Sequence, residues 1–351
     1  MIPLFSATWT LLAGAMVLFL PGLAWLYFFR DAEQDAFERL AEMLGVSIAS
    51  SALVALLASL LGLHLSSFIV ILIYGLMAIP ATWTLKHWWQ DRTWGGNIDQ
   101  PGGVNSHLEF QSEQDIQSTN QIQGKLIYLS LALVFLVVLV WRFYQIQDVV
   151  LPLWVDSVHH VQIVISFLEN GGIPETLEPQ MPVPFYYHFA FHAMAAVFAF
   201  ITRLNPQDAV LYLGQVLNAA VVFAVYRLGK ALWGDWRRAV FSALLVAFVT
   251  QMPAYYVTWG RYTMLTGMVL LPLTMASALD VVNKGVEKSR LFTLGLLTAG
   301  ILLTHYFAAA LLAIFFLIIG IQVLVGNVRS NNRPLWSTWL PMLMAALLGL
   351  L

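Results

Sequence analysis

The chain is dominated by runs of about 20 apolar residues, and these runs decide what it can fold into. Ten of them are long enough to cross a hydrocarbon core of about 30 Å as α-helices. They cover residues 3–29, 42–63, 66–86, 125–143, 207–229, 237–254, 263–282, 290–305, 306–325 and 335–351. The runs are continuously apolar rather than alternating, which excludes a transmembrane β-barrel. We therefore expect an all-α polytopic membrane protein with about ten transmembrane helices.

The composition excludes several classes of protein. Apolar residues make up 60% of the 351 residues and charged residues only 10%, whereas soluble domains carry about 25% charged residues. The formal net charge of −2 argues against nucleic acid as a partner, because phosphate binding requires a basic surface. The absence of cysteine excludes disulfides, thiolate metal sites and thiol nucleophiles.

The distribution of charge predicts the orientation in the membrane. Residues 144–202 contain no Lys or Arg but carry several carboxylates, so the positive-inside rule places them outside. The apolar stretch 185–202 is then a helix at the outer membrane surface, because a crossing there would turn all the later basic clusters outward. Only Arg142, Arg203 and Arg261 remain on the outer side. We expect this topology in a cell membrane, of the prokaryotic inner-membrane type.

Two long loops divide the chain into three parts. Residues 1–86 are predicted to form three transmembrane helices, and residues 87–124 a flexible cytoplasmic loop rich in Gln, Asn, Ser and Gly. Residues 125–351 form a second transmembrane module. Its outer loop, residues 144–206, carries two amphipathic helices next to the membrane. Long loops with their own helices are often functional, so this loop is the first place to look for a site.

The outer loop contains side chains suited to acid–base chemistry. Asp156 precedes an apolar helix that Gly171 and Pro174 end, and it occupies a position suited to an N-cap. The same carboxylate could instead take a proton from an acceptor hydroxyl as a general base. His159 and His160 follow three and four residues later on one helical face. They could bind a phosphate or orient Asp156, although histidines are common at membrane interfaces.

Other polar residues are predicted at the same face. His188 and His192 have the i, i+4 spacing of a zinc pair, but without a third ligand or an intervening Glu the signal is weak, and we predict no bound metal. Arg261 lies in an aromatic turn, where it could anchor to lipid phosphate or bind the phosphate of a lipid-linked donor. His305 lies between two apolar runs and either caps a helix junction or belongs to a site.

The order of these features resembles the GT-C superfamily of membrane glycosyltransferases over residues 125–325. The matching positions are Asp156 with His159 and His160, then Pro184-Phe185-Tyr186-Tyr187-His188, Gly260-Arg261 and Leu303-Thr304-His305. The resemblance implies a polyprenyl-phosphate sugar donor, no cofactor and Asp156 as the catalytic base. It implies that the substrate-binding residues are His159, His160, Tyr187, His188, Arg261 and His305.

The chain also departs from that superfamily. Three predicted crossings precede the loop-bearing unit, where many members have one. No acidic residue occurs in the turn 255–262, where metal-using oligosaccharyltransferases carry an acidic ligand. This second departure argues against a metal-dependent mechanism.

Two other functional classes stay open. A non-catalytic subunit of a larger membrane complex could keep the same fold, and an end inside an apolar run at Leu351 favours that alternative. A transporter is less favoured, because the predicted crossings hold almost no charged residue away from their ends apart from Arg30 and Lys125. The expected partners are a lipid-linked sugar donor, membrane lipids and, for the second class, other membrane subunits. Nucleic acid is not expected.

Overall fold

The computed structural model of the chain describes residues 4–29, 31, 34–90 and 112–330. Within these residues the chain is helical almost throughout. The helices are α1 (Leu4–Phe28), α2 (Ala36–Leu60), α3 (Ser67–Gln90), α4 (Ser112–Gln145), α5 (Val155–Asn170), α6 (Ala190–Thr202), α7 (Pro206–Trp233), α8 (Trp236–Leu244), α9 (Ala254–Thr258), α10 (Tyr262–Lys284), α11 (Lys288–Thr304) and α12 (Tyr306–Ser330). A π-helical segment, Leu245–Val249, follows α8. Two short strands, β1 (Thr176–Leu177) and β2 (Met181–Pro184), pair antiparallel between α5 and α6.

Seven helical segments within the described residues are long and apolar enough to cross a membrane. They are Thr8–Phe28, Ala36–Leu60, Ser67–His87, Pro206–Trp233, Trp236–Thr258, Tyr262–Lys284 and Tyr306–Val325. This finding confirms the expectation of an all-α chain of the membrane type. Of the other predicted crossings, 125–143 and 290–305 correspond to α4 and α11, and 335–351 lies outside the described residues.

The predicted loop at residues 87–124 is shorter than expected. α3 continues to Gln90 and α4 begins at Ser112, so residues 112–124 are helical. This segment is rich in Gln, which is a good helix former, and it extends an adjoining apolar helix without the cost of a new nucleus. The rest of the predicted loop lies outside the described residues.

The helices pack into one bundle around α7. This helix contacts α2, α4, α6 and α10, while α1 packs on both α2 and α3 beside it. The close approach of α1 to α2 depends on Gly22, because a Cβ atom there would overlap the backbone of Met43. Inside lipid, where helix association gains little from the hydrophobic effect, such close packing supplies much of the attraction between helices.

Helix α6 is buried inside the bundle rather than at its surface. It begins at Ala190, five residues after the start of the predicted stretch 185–202, and Phe200 alone among its residues is partly exposed. It packs against α1, α2, α5 and α7, and the indole Nε1 of Trp9 donates to the carbonyl of Ile201 at 3.2 Å. A helix that is apolar around most of its circumference can be buried among other helices. This differs from the expected amphipathic surface helix.

The two ends of the bundle differ in character. The segment from α5 to α6 lies at one end, which we call the loop end. It is tied to the turn after α2, where the Leu65 amide donates to the Gly171 carbonyl at 2.6 Å and the Ile173 amide donates to Ser59 Oγ at 2.9 Å. At the opposite end, which we call the charged end, ionisable side chains are buried between helices. They are Asp31, Glu38, Arg39, Glu42, Arg227, Asp280 and Arg290.

Ion pairs at the charged end join three helices to one another and a fourth helix to the segment before α2. Arg227 of α7 contacts Glu38 of α2 at 3.0 Å and also Asp280 of α10. Arg290 of α11 contacts Asp31, just before α2, at 2.8 Å. The sequence analysis missed this network because α2 begins six residues before the predicted crossing at 42–63, which places Glu38 inside the helix.

Candidate functional site

The candidate site lies at the loop end, where α5 begins. Helix α5 begins at Val155, and the preceding Trp154 has φ 75°, a conformation that bulky residues adopt rarely and that clusters at functional sites. Trp154 therefore occupies the N-cap position and makes no side-chain cap. The prediction that Asp156 is the N-cap is wrong, because the helix starts one residue before it. Its carboxylate in the first turn still faces the positive end of the helix dipole.

The turn between α9 and α10 rests directly on the first turn of α5. Gly260 has φ 65°, and a Cβ atom there would lie 2.6 Å from Ser157 Oγ and 2.9 Å from the Ser157 backbone nitrogen. Only glycine combines this conformation with so close an approach. Because Gly260 packs directly against α5, Arg261, which follows it in the chain, is close enough to contact Asp156.

Arg261 and Asp156 form an ion pair that is partly open to solvent. Arg261 Nε lies 3.3 Å from Asp156 Oδ2, and the side chains are 46% and 36% exposed. The guanidinium carbon also lies 4.8 Å from the ring centroid of Trp259, which is a cation–π arrangement. The structure thus brings together the two residues to which the sequence analysis gave the base and the phosphate-binding roles.

Behind this ion pair lies a buried imidazole pair. His160 Nδ1 is 2.9 Å from His192 Nε2, and both residues are buried. Burial lowers the pKa of His160 to about 4. The nearby Asp156 carboxylate acts in the opposite direction and offsets only part of this decrease. A neutral imidazole offers one donor and one acceptor, so the pair can share one proton between its rings. His159, by contrast, is exposed on the other side of α5, so the two adjacent histidines do not act together.

His188 and His305 form a second contact at the same end. Their ring centroids are 4.6 Å apart, and the Phe189 amide donates to the Leu303 carbonyl at 3.0 Å. Burial, and then the neighbouring His305, lowers the pKa of His188 to about 3. His305 also accepts a hydrogen bond from the Phe307 amide at 3.2 Å, so it caps the junction of α11 and α12 while it contributes to the site.

The i, i+4 spacing of His188 and His192 does not produce a metal-binding pair on one helix. His188 precedes α6, which begins at Ala190, and His192 turns toward His160 instead. Among the described residues, no three His, Asp or Glu side chains gather closely enough to hold a metal ion.

Tyr187 links the two histidine contacts. Its ring centroid lies 3.8 Å from that of His188 and 5.9 Å from that of His192. Its hydroxyl lies near Thr263, the second residue of α10, and burial raises the pKa of Tyr187. Sequence reasoning did not assign Thr263 or Tyr262 to the site, because it treated Thr263 as the start of the crossing 263–282 and Tyr262 as the last residue of the aromatic turn. The polar residues in that first turn were the available signal.

The arrangement can accept a proton and bind an anion at one place. Asp156 offers a carboxylate, Arg261 a cation next to it, and the histidines and Tyr187 offer neutral hydrogen-bonding groups behind them. The partial exposure of the ion pair leaves it accessible. His188 and His305 are also partly exposed, whereas His160 and His192 are buried. All the predicted site residues except His159 are therefore within one connected cluster.

Comparisons with known proteins give a family but no characterised relative. No curated protein matches the chain significantly, and no solved structure does so either. One family model, described as a family of unknown function (DUF6541), matches residues 15–351. Because this match covers nearly the whole sequence, the chain belongs to the DUF6541 family.

Proposed function

We propose that the protein is a GT-C-type glycosyltransferase that moves a sugar from a polyprenyl phosphate to an acceptor hydroxyl. One observation carries the proposal, which is the accessible contact between Asp156 and Arg261 at the loop end. A transferase of this kind needs a base for the acceptor and a cation for the departing phosphate within reach of one substrate. Asp156 can serve as this base and Arg261 as this cation, and both side chains are partly exposed.

The reaction assigns a separate role to each member of the pair. Asp156 takes the proton when the acceptor O–H bond breaks, and the acceptor oxygen forms a new bond to C1 of the sugar. The bond between C1 and the phosphate oxygen breaks, and the lipid phosphate leaves with the electron pair. Arg261 stabilises the negative charge that develops on this phosphate. Since its contact with Asp156 is partly solvated, exchanging the carboxylate for a phosphate costs little.

The surrounding residues position the substrates in this proposal. The neutral His188 and His305, which are partly exposed, offer hydrogen bonds to sugar hydroxyls without adding positive charge that would compete with Arg261, and His160 is held behind them by its contact with His192. Tyr187 offers a ring face and a hydroxyl between them, and exposed His159 lies one helical turn from Asp156. No metal is assigned a role.

The proposal requires that the loop end faces the outer side of a cell membrane, which we propose to be a prokaryotic inner membrane. The described helices then provide nine crossings, since α4 and α11 join the seven long apolar segments. Residues 335–351 would supply a tenth. An α-helix of 17 residues, such as α11, covers about 25 Å, which is near the lower limit for a span.

Replacing Asp156 tests the assignment of the base. Asp156→Asn should slow transfer by roughly 10²–10⁴-fold, because the general base is lost, while thermal stability changes little. The assay uses the purified chain in liposomes with a panel of polyprenyl-phosphate hexoses and pentoses and a panel of hydroxyl-bearing acceptors, and measures release of polyprenyl phosphate. Asp148→Asn is the matched control, since Asp148 is an exposed carboxylate in the same segment, and it should retain full activity.

Arg261 variants separate phosphate binding from proton transfer. Arg261→Ala should weaken donor binding and slow transfer, and Arg261→Lys should recover only part of the loss, because a lysine cannot contact two phosphate oxygens at once. Full activity of Asp156→Asn would disprove the catalytic role of that residue. If the wild-type chain releases no polyprenyl phosphate but Asp156→Asn dissociates a membrane complex, the chain is an accessory subunit instead.

A further inference from the structure

A cavity of about 620 Å³ lies at the loop end, between the last turn of α4, the first half of α7 and the short helix α9. Its polar lining consists of Gln145, Gln215, Gln251, Tyr255 and Thr258, and the rest of its lining is apolar. Sites for small molecules have volumes of about 300–1,000 Å³ and combine apolar walls with a few polar groups. The polar groups therefore decide which ligand fits this cavity.

The cavity offers no ionic partner to a ligand. None of the described residues that line it carries a charge at neutral pH, and neither Asp156 nor Arg261 is among them. Arg142 Nη1 donates to Gln145 Oε1 at 3.2 Å, but Arg142 is only 4% exposed and does not line the cavity. A charged ligand would lose its hydration there without gaining an opposite charge, which is costly. The cavity therefore favours an uncharged ligand.

Gln215 supplies a hydrogen-bond donor that no described residue uses. Its side chain is only 2% exposed, and its Nε2 has no acceptor among the described residues. Leaving a buried amide unpaired is costly. Helix α7 is also apolar and long enough to cross a membrane, and polar side chains inside such helices often mark functional sites. An oxygen atom of a ligand in the cavity would pair with this amide.

Two other polar residues complement Gln215. The side-chain oxygen of Gln145 accepts from Arg142, so the amide nitrogen is the group of Gln145 that can donate to a ligand. Thr258 Oγ1 donates to the Tyr255 carbonyl at 2.9 Å, and its oxygen can still accept. The cavity therefore presents donors and an acceptor together. Because a hydroxyl group both donates and accepts, a ligand with several hydroxyls matches this set.

Tyr255 adds an exposed aromatic ring to the cavity. Its side chain is 51% exposed, and its ring centroid lies 5.5 Å from that of Trp259, which packs against it. Buried Leu211 and Val257 line the same cavity. A sugar ring carries hydroxyls around its edge and C–H groups on its faces. It can therefore pack on an aromatic ring and an apolar wall while its hydroxyls bind to the amides.

We propose that this cavity binds an uncharged carbohydrate. The amides of Gln145 and Gln215 donate to hydroxyl oxygens of the sugar, and Thr258 accepts from one of its hydroxyls. The ring of Tyr255 packs on a face of the sugar. A free glycan and the head group of a neutral glycolipid present this same chemistry. Because Asp156 and Arg261 do not line the cavity, the proposal does not rest on the proposed transferase activity.

The test is carbohydrate binding to the whole chain in lipid nanodiscs, which avoids sugar-based detergents. Saturation-transfer NMR measures the binding of neutral trisaccharides of glucose, mannose, galactose and arabinose. A uronic-acid trisaccharide and a capped, uncharged peptide are measured in parallel. In a separate arm, native mass spectrometry measures the binding of a neutral diglycosyl lipid. We expect a neutral carbohydrate to bind, and binding of the glycolipid alone would identify a lipid-linked sugar as the ligand.

Replacing Gln215 assigns this binding to the cavity. Gln215→Leu should lower the carbohydrate affinity by roughly 3- to 10-fold, because one hydrogen bond to the ligand is lost. The change replaces an unpaired buried amide by an apolar group of similar size, so folding should not suffer. Gln147→Leu is the matched control, since Gln147 is exposed at the same end and does not line the cavity. It should bind as the wild type does.

Tyr255→Leu guards against a misfolded Gln215 variant. Because Tyr255 is half exposed, its replacement should not disturb folding, whereas loss of its ring should lower the affinity by roughly 3- to 10-fold. Tyr144→Leu, at an exposed tyrosine outside the lining, is its control and should have no effect. The proposal would be overturned if no neutral carbohydrate binds, if the uronic acid or the peptide binds equally well, or if both variants bind normally. These outcomes are independent of the Asp156 assay.

Discussion

Both ends of the bundle hold arginine–carboxylate contacts between separate segments of the chain, and these contacts are buried at the charged end and partly exposed at the loop end. At the charged end, Arg227 and Glu38 are 3% and 4% exposed and 3.0 Å apart. At the loop end, Arg261 and Asp156 are 3.3 Å apart but far more exposed. Arg142, at the same end, has no carboxylate partner among the described residues.

The difference separates ion pairs that hold helices from cations that can take a ligand. Arg227 is shared by carboxylates from two helices, so losing either partner would leave a buried charge uncompensated. The Asp156–Arg261 contact is partly hydrated, so it contributes little to stability and can be exchanged. The buried ion pairs at the charged end thus hold the helices together, whereas the exposed ion pair at the loop end remains accessible to a ligand.

The largest expected effect is at the charged end. Arg227→Ala should lower the free energy of unfolding by about 3–5 kcal/mol, because Glu38 and Asp280 remain buried without their cation. Thermal unfolding in detergent, followed by tryptophan fluorescence, measures the change. Arg238→Ala is the control, since Arg238 is exposed and its contact with Asp235 is 3.6 Å long. Equal melting temperatures for both variants would show that the buried ion pair of Arg227 contributes no more to stability than an exposed one.

A smaller effect should appear when the pH falls. The pKa of His160 is about 4 in the folded chain and about 6.5 when unfolded. Between these values the unfolded chain binds a proton at His160 that the folded chain does not, so the contribution of His160 to the free energy of unfolding decreases as the pH drops and levels off below pH 4. The loss attributable to His160 is on the order of 3 kcal/mol.

Variants assign this pH dependence to the buried imidazole. His160→Gln should make the plot of unfolding free energy against pH less steep between pH 6.5 and pH 4. The decrease in slope should correspond to at most one bound proton. His159→Gln, which changes an exposed histidine on the same helix, serves as the control. An unchanged slope in His160→Gln would mean that His160 is hydrated in the folded chain.

The smallest expected effect is at the open ion pair. Arg261→Ala should change the free energy of unfolding by less than about 1 kcal/mol, because partly exposed ion pairs contribute little. The same melting assay measures it, next to the Arg227 variant. A loss as large as that of Arg227→Ala would show that Arg261 is structural, and its role in phosphate binding would then lack support.

The helical membrane class and much of the site could be predicted from sequence because they depend on local signals. Long apolar runs gave most helix positions, and Gly171 ends α5 in a left-handed conformation as predicted. Asp156 and Arg261 stood out as polar residues between apolar segments, and the structure brings them together. The cap at Asp156 was misassigned because a one-residue shift in a helix start leaves no mark in the sequence.

The features that were missed depend on packing between distant segments. Glu38 and Arg227 are far apart in the chain, and nothing local shows that they pair inside the bundle. The same holds for the burial of α6, which is short and apolar and could equally lie on a membrane surface. Arg142 was recognised as an outward cation, but its burial and its contact with the Ala247 carbonyl depend on packing between distant segments.

The burial of α6 also constrains how the protein is assembled. At 13 residues, or about 20 Å, it is too short to span a bilayer by itself. Its neighbours include α1 and α2, which are synthesised before it, and α7, which is synthesised after it. A nascent chain that stops before Trp233 therefore presents α6 with one side uncovered. Insertion of the N-terminal helices can precede closure of the bundle, but closure must wait until α7 has left the ribosome.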